Sequence, residues 1–291
     1  MKIETVSPLV ALITDIKNAN DAFIKSQEAG KFRVLSLDGG GARGYLSARM
    51  LENIEEYVNV RTNTSLPLGR RFDLMVGTST GGIIALALSI GKTAKEIADF
   101  YAQLVPRIFE KKLELSSLAQ YSAPRYPNDR LKAALDSQFG NKTLESVAVD
   151  VCITGVSLQT GRPRFHKSSY QNTYLERREE RLADIALATS AAPTYFKAAR
   201  LKHTETMVDG GLCANNPALV AIVDALGFER SSLTRGKRPD GIKDVWLLSI
   251  GTGHQSQMPY DANDLANAGL IEWAKHVSDV MFESQSVAVD F

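Results

Sequence analysis

Gly77-Thr78-Ser79-Thr80-Gly81, followed by Gly82, lies between two apolar runs. Phe72-Asp73-Leu74-Met75-Val76 before it has strand character, and Ile83-Ile84-Ala85-Leu86-Ala87-Leu88 after it suits a buried helix. A strand, a tight turn and a helix with a serine at the apex form a nucleophile elbow. Gly77 and Gly81 carry no Cβ, so strand and helix can approach closely around the turn. The turn exposes the Ser79 hydroxyl at a helix N-terminus, where unpaired N–H groups and the helix dipole favour negative charge. The same spacing also fits a glycine-rich strand-to-helix connection with an incidental serine, so the rest of the chain must decide.

Working outward, the nearest upstream feature is of the same kind. Phe32-Arg33-Val34-Leu35-Ser36-Leu37 reads as a buried strand and runs into Asp38-Gly39-Gly40-Gly41-Ala42-Arg43-Gly44, then into a helix from about Tyr45 to Tyr57. Glycines there let a ligand approach bare backbone N–H groups, which suits a standing phosphate or a transient oxyanion. Gly39, Gly41 and Gly44 also satisfy the dinucleotide spacing. The acidic residue expected at the end of a second strand is missing, because Glu55 and Glu56 fall inside an apparent helix. A phosphate loop of the Walker type would need Gly-Lys-Ser/Thr where Arg43-Gly44-Tyr45 stands.

Downstream, Thr206-Met207-Val208-Asp209-Gly210-Gly211 is a strand end with an acid before two glycines, and Asn215-Asn216-Pro217 opens a helix over Ala218 to Leu226. Asp244 to Gly253 is a further buried strand, and Asn263 to Phe291 reads as helical. Between elbow and acid, Thr93 and Glu96 form a capping box ahead of an amphipathic helix carrying Ile97, Phe100, Tyr101, Leu104, Val105, Ile108 and Phe109. Tyr121 to Pro127 is a loop, either an entry lid or a plain connection. Asn128 is expected to cap a helix ending near Gly140. Val147 to Leu158 is a strand candidate, paired with Arg164-Phe165-His166 through the Thr160-Gly161 turn. Leu182 to Ala191 is a helix of small residues. At the other end, Ser7-Pro8 opens an expected helix over residues 7–28, and Gly30 ends it. Strands alternating with helices give an α/β fold, a three-layer sandwich around a mostly parallel sheet. The glycine loop, the elbow, Asp209 and Gly251 all follow strands, and that edge is where such sheets bind ligands.

Composition narrows the classes. The 291 residues are 44% hydrophobic, enough for a substantial core. With 34 basic and 33 acidic residues the net charge is +1, so no dominant field points to nucleic acid. Arg177, Arg178 and Arg181 are interleaved with Glu176, Glu179 and Glu180. Cys152 and Cys213 make neither a metal spacing nor a disulfide framework, which fits a reducing compartment. No signal-peptide pattern opens the chain, and the apolar run Gly82 to Ile90 is too short to span a bilayer. The expectation is one soluble domain over 1–291.

Ser79 needs a base. Of His166, His203, His254 and His276, His254 follows Asp209 and fits the chain order Ser, Asp, His of the α/β-hydrolases. The alternative is a dyad of Ser79 and Asp209. An ordinary carboxylate is a weak base for a hydroxyl, but burial can raise its pKa and proximity can make it effective.

The ordered set Asp38–Gly44, Gly77–Gly81 and Asp209–Gly211, supported by Thr189-Ser190-Ala191-Ala192-Pro193-Thr194-Tyr195-Phe196 and Asn215-Asn216-Pro217, resembles the patatin-like phospholipases over roughly Phe32 to Gly253. That resemblance implies a patatin-like variant of the α/β-hydrolase fold. It also implies a Ser–Asp dyad, with Ser79 the nucleophile and Asp209 the base, that hydrolyses fatty acyl esters. Gly39, Gly40, Gly41, Ala42, Arg43 and Gly44 would form the oxyanion hole, with Gly77, Gly81, Gly210 and Gly211 shaping the turns. Arg43 would steady the loop or meet a lipid phosphate. The implied partners are a phospholipid or other glycerolipid and the membrane surface that carries it, with no cofactor and no metal. A cyclic-nucleotide activator and a homodimer stay open, as does a catalytically silent scaffold. The implied location is cytoplasmic, with peripheral work at membranes. Relatives usually continue past the segment that here stops at Phe291, so a shortened form is expected.

Overall fold

Burial of period two divides the sheet into two faces. In β1 (Phe32–Leu37), Phe32 and Val34 face one side while Leu35 and Leu37 face the other. β2 (Leu74–Gly77) repeats this with Leu74 and Val76 against Met75, and β3 (Asp150–Ser157) with Cys152 against Val151 and Ile153. The registers Val34↔Leu74 and Val76↔Cys152 align the like-facing residues. The computed structural model describes residues 21–26, 29–108, 124–168, 178–202, 205–227, 239–253 and 260–289.

On the larger face lie α1 (Gly44–Thr62), α2 (Thr80–Ser89), α3 (Ala94–Ile108), α4 (Asn128–Phe139) and α5 (Leu182–Thr189). α2 is buried along its whole length, as its continuous apolar sequence requires. The smaller face carries Phe32, Val34, Leu74, Val76 and Cys152, and is covered by Ala221 and Ala225 of α7 (Ala218–Leu226), which follows the single turn α6 (Gly211–Ala214). The result is the expected three-layer α/β arrangement.

The sheet is mixed. β4 (Pro163–Lys167), β5 (Ala199–Arg200), β6 (Thr206–Asp209) and β7 (Val245–Ile250) complete it, in the order β5-β6-β3-β2-β1-β7 with β4 also on β3. β7, β1, β2 and β3 run parallel, and β4 and β6 run antiparallel to β3. β4 pairs with Cys152–Val156 and so fills one edge of β3. β2 pairs with Asp150–Ile153 and β6 with Gly155–Ser157, so these two strands share the opposite edge. Being oppositely directed, they meet there with their C-terminal ends, Gly77 opposite Ile153 and Asp209 opposite Gly155.

Several local expectations shift. The strand expected over 147–158 is Asp150–Ser157, and the helix expected from Tyr45 to Tyr57 extends from Gly44 to Thr62, ending at Asn63 in the left-handed region. Glu55 is buried on α1 and accepts from the N–H groups of Leu68 (2.6 Å) and Ala94 (3.1 Å). It caps a turn and a helix start, so this carboxylate is not free to hold a ribose. Asn128 does not cap α4; its side chain exchanges bonds with the Lys197 backbone at 2.8 and 2.9 Å, tying two segments together. Thr93 and Glu96 do form the capping box, each side chain bonding the other's N–H. Of the helix expected over 7–28, residues 21–26 are helical and the remainder lies outside the described residues. Part of the Tyr121–Pro127 loop also lies outside them; its end is pinned by Arg125 and Tyr126 N–H bonds to Thr194 and Tyr195. The tail forms α8 (Ala262–Ala266) and α9 (Leu270–Val289). Among the described residues no helix is long and apolar enough to cross a membrane.

Candidate active site

The elbow turns with Ser79 at φ 53 and ψ −121, a conformation non-glycine residues rarely adopt. The turn is tight enough that a Cβ on Gly77 would lie 2.5 Å from the Gly81 carbonyl oxygen, and one on Gly81 would strike the Leu37 carbonyl. These contacts explain both glycines of the motif. The strained backbone is held by Thr189, whose hydroxyl accepts the Ser79 N–H at 2.9 Å. The same stretch grips the acid, since the Asp209 N–H donates to Ala191 and the Gly210 N–H to Thr189.

Because β2 and β6 end against each other on β3, Ser79 and Asp209 come together although they are far apart in sequence. The Ser79 hydroxyl donates to Asp209 Oδ2 at 2.8 Å, and the Gly211 N–H donates to Oδ1 at 2.7 Å. Asp209 is 1% exposed. Burial raises its pKa to about 7, against the opposing effect of the bonds from Gly211 and Ser79. Thr78 and Thr154 brace the junction: the Thr78 hydroxyl donates to the Ala214 carbonyl (2.6 Å) and so accepts from Thr154 (2.7 Å).

The glycine loop stands over this pair. It is fastened on two sides, by the Gly39 N–H to the Asn215 carbonyl (2.9 Å) and by Thr252 Oγ1 to the Gly39 carbonyl (3.2 Å). The sequence groups Gly39 to Gly44 as one donor set, but the structure divides them. The N–H groups of Gly39, Arg43 and Gly44 are spent on Asn215, Gly40 and the Gly41–Ala42 carbonyls. Among the described residues no acceptor takes the N–H of Gly40, Gly41 or Ala42, and these residues line a cavity of about 250 Å³ together with Ser79 and Asp209. Arg43 braces the loop through the Gly253 carbonyl at 3.2 Å.

The cavity has an apolar wall of Ile83, Leu104, Val105, Ile108 and Leu131, and a second wall from α9 carrying Asp279, Phe282 and Glu283. α9 is tied to the site by Asn215, whose amide donates to Ser286 Oγ (2.8 Å) and whose N–H donates to Gln285 (3.1 Å). The Tyr195 hydroxyl donates to Asp279 at 3.1 Å; burial, then Asp279, pushes its pKa up to about 12. From sequence α9 reads only as a helical tail and Thr189 only as part of a motif, because both contacts are made across distant segments.

The described histidines lie elsewhere. His166 is buried on β4 with Nδ1 2.9 Å from Glu180, and His276 on α9 is 3.5 Å from Glu272. His203 and His254 fall outside the described residues. Among the described residues no histidine stands between Ser79 and Asp209, which touch directly.

An α/β sheet with an elbow serine bonded to a buried aspartate beneath a glycine loop defines a hydrolase-like architecture. The family model "Patatin-like phospholipase" matches residues 35–222, and the chain belongs to that family. It is 34% identical over 233 residues to a cGAMP-activated phospholipase of Escherichia coli (strain TW11681), covering 79% of this chain and 64% of that protein. The chain thus spans less than two thirds of that relative's length. It is also 31% identical over 290 residues to patatin-like protein 2 of Arabidopsis thaliana, covering 89% of this chain and 70% of that protein. Among solved structures, VipD from Legionella pneumophila aligns loosely, at a TM-score of 0.38 and 12% identity over 88% of this chain and 67% of the other.

Proposed function

We propose that this protein is a serine lipid acyl hydrolase that cleaves fatty acyl esters of phospholipids at a membrane surface. Family membership supports the reaction class. The observation that carries the residue assignment is the 2.8 Å bond from the Ser79 hydroxyl to a buried Asp209 whose pKa is raised to about 7. A base near neutrality has the proton affinity to accept from a hydroxyl while remaining largely ionised just above pH 7.

In this reading Ser79 Oγ attacks the ester carbonyl carbon as its proton passes to Asp209 Oδ2. The carbonyl oxygen becomes an oxyanion facing the N–H groups of Gly40, Gly41 and Ala42, which are rigid donors that need no reorganisation. Collapse breaks the ester C–O bond, and the departing alkoxide takes the proton from Asp209, leaving an acyl-Ser79 ester. Water then attacks the acyl carbon as its proton passes to Asp209, and collapse breaks the acyl–Oγ bond, with Asp209 returning the proton to Ser79 Oγ as the fatty acid leaves. The apolar wall suits the acyl chain. Two relatives bear the name cGAMP-activated phospholipase, and cyclic-nucleotide stimulation of this chain is part of the proposal.

The test is labelling by a fluorophosphonate probe, followed by fatty-acid release from mixed phospholipid micelles with and without cyclic GMP–AMP. Labelling should map to Ser79 and vanish in Ser79→Ala. Absence of labelling in both conditions would favour a silent scaffold, and full activity in folded Asp209→Asn would remove the dyad.

A further inference from the structure

The charged half of the cavity has no role in the reaction outlined above. Arg43, Asp279 and Glu283 line it together with Tyr195 and Phe282. Arg43 Nη2 stands 3.9 Å from Glu283 Oε2, and the Tyr195 hydroxyl fixes the Asp279 carboxylate at 3.1 Å. Leaving Asp209 aside, this half holds two carboxylates against one guanidinium, so an anionic group entering it meets a net negative wall. The Ser190 hydroxyl lines the same cavity, is 7% exposed and has no partner among the described residues. It offers an O–H to a ligand oxygen.

If the acyl chain takes the apolar wall, the remainder of the lipid must lie along the charged one. From this geometry we propose that the cavity contains a headgroup subsite for phosphoethanolamine-type lipids. The phosphodiester lies on Arg43, assisted by Ser190, and the ammonium lies between Glu283 and Asp279. A headgroup that presents a negative and then a positive charge opposes the order of Arg43 and Glu283. It also meets both carboxylates with its N–H donors. Quaternary choline has no N–H to donate and relies on the rings alone. Phosphatidylglycerol carries the negative charge without the positive one. The subsite rests on the acyl-hydrolase reading for its orientation.

The experiment measures hydrolysis of phosphatidylethanolamine, phosphatidylcholine and phosphatidylglycerol with identical acyl chains in neutral detergent micelles. In parallel, binding of the non-hydrolysable diether forms of the first and last is measured by calorimetry. Wild-type protein should favour phosphatidylethanolamine over phosphatidylglycerol by about tenfold, with phosphatidylcholine between them. Glu283→Lys should invert that order, and the near-isosteric Glu283→Gln should bring the ratio towards one; circular dichroism confirms that each is folded. A wild-type ratio at or below one, or a ratio unchanged in both variants, overturns the subsite. Protein that cleaves p-nitrophenyl butyrate yet shows no headgroup preference loses this proposal alone. Protein that cleaves no ester loses the hydrolase reading, and equal binding of the two diether lipids then overturns the subsite as well.

Discussion

The two edges of β3 each carry a buried acid in a polar pair, and the pairs behave differently. On one edge His166, in register with Ile153, meets Glu180 at 2.9 Å; both are buried, 1% and 3% exposed. On the other edge Asp209, in register with Gly155, meets Ser79 at 2.8 Å beside a cavity. Glu180 has an imidazole nitrogen as its partner and, among the described residues, no cavity beside it. Asp209 has only a hydroxyl and an N–H, and its burial raises its pKa to about 7. Burial is common to both edges. A buried acid that opens on a cavity beside a strained serine occurs on one of them.

The largest effect that could break this contrast is on turnover. Ser79→Ala and Asp209→Asn, each folded by circular dichroism, should lower fatty-acid release by at least about 10³-fold. Glu180→Gln should instead cost about 3 kcal/mol of stability, read as a lower denaturation midpoint, while turnover at 25 °C stays near wild type. If Glu180→Gln abolished turnover without unfolding, the two edges would not be separable.

The ionisation of Asp209 sharpens the contrast through pH. Its folded pKa, about 7, lies above its ordinary value of 3.8. The folded state therefore holds the proton more tightly, and this stabilising effect is lost as pH rises from about 4 to 7. Asp209→Asn should melt higher than wild type at pH 8, by an amount on the order of a few kcal/mol, with the gap closing towards pH 4. Catalysis runs the other way: wild-type kcat/KM should fall about tenfold per pH unit below 7, because the base must be ionised. A flat profile between pH 5 and 7 would contradict the assignment.

Smaller effects test the support. Thr189→Val keeps the shape but leaves the Ser79 N–H without its acceptor, so kcat should drop roughly tenfold with KM little changed, and Thr189→Ser should restore it. As a control, Lys202→Ala removes an exposed ion pair with Glu179 and should alter stability by less than about 1 kcal/mol.

What the sequence made legible was local. The elbow and the glycine loop are legible because strand, glycine and helix succeed one another within a few residues, and Asp209 because two glycines follow a strand end. The contact between Ser79 and Asp209 depends on β2 and β6 sharing an edge of β3, a non-local fact that no spacing encodes. Which N–H groups of Gly39–Gly44 remain available was partly hidden for the same reason, since Asn215 takes that of Gly39 from a distant segment, while the local turn takes those of Arg43 and Gly44. The capping role of Glu55 is hidden likewise, because the turn and the helix start that converge on it meet only in the fold. α9 reads as a tail because its partners, Asn215 and Tyr195, are themselves placed only by the fold.

Thr154 is the single residue of β3 between the partners of Gly77 and Asp209, Ile153 and Gly155. The strand therefore acts as a gauge that sets the distance between Ser79 and Asp209 in whole residues. One inserted residue at Thr154 would lengthen the gauge by about 3.3 Å, more than the tolerance of a hydrogen bond, and would reverse the pleat beyond it. Variation elsewhere in the sheet can be continuous. At this position the fold permits one length, and a chain that altered it would keep its motifs and lose their alignment.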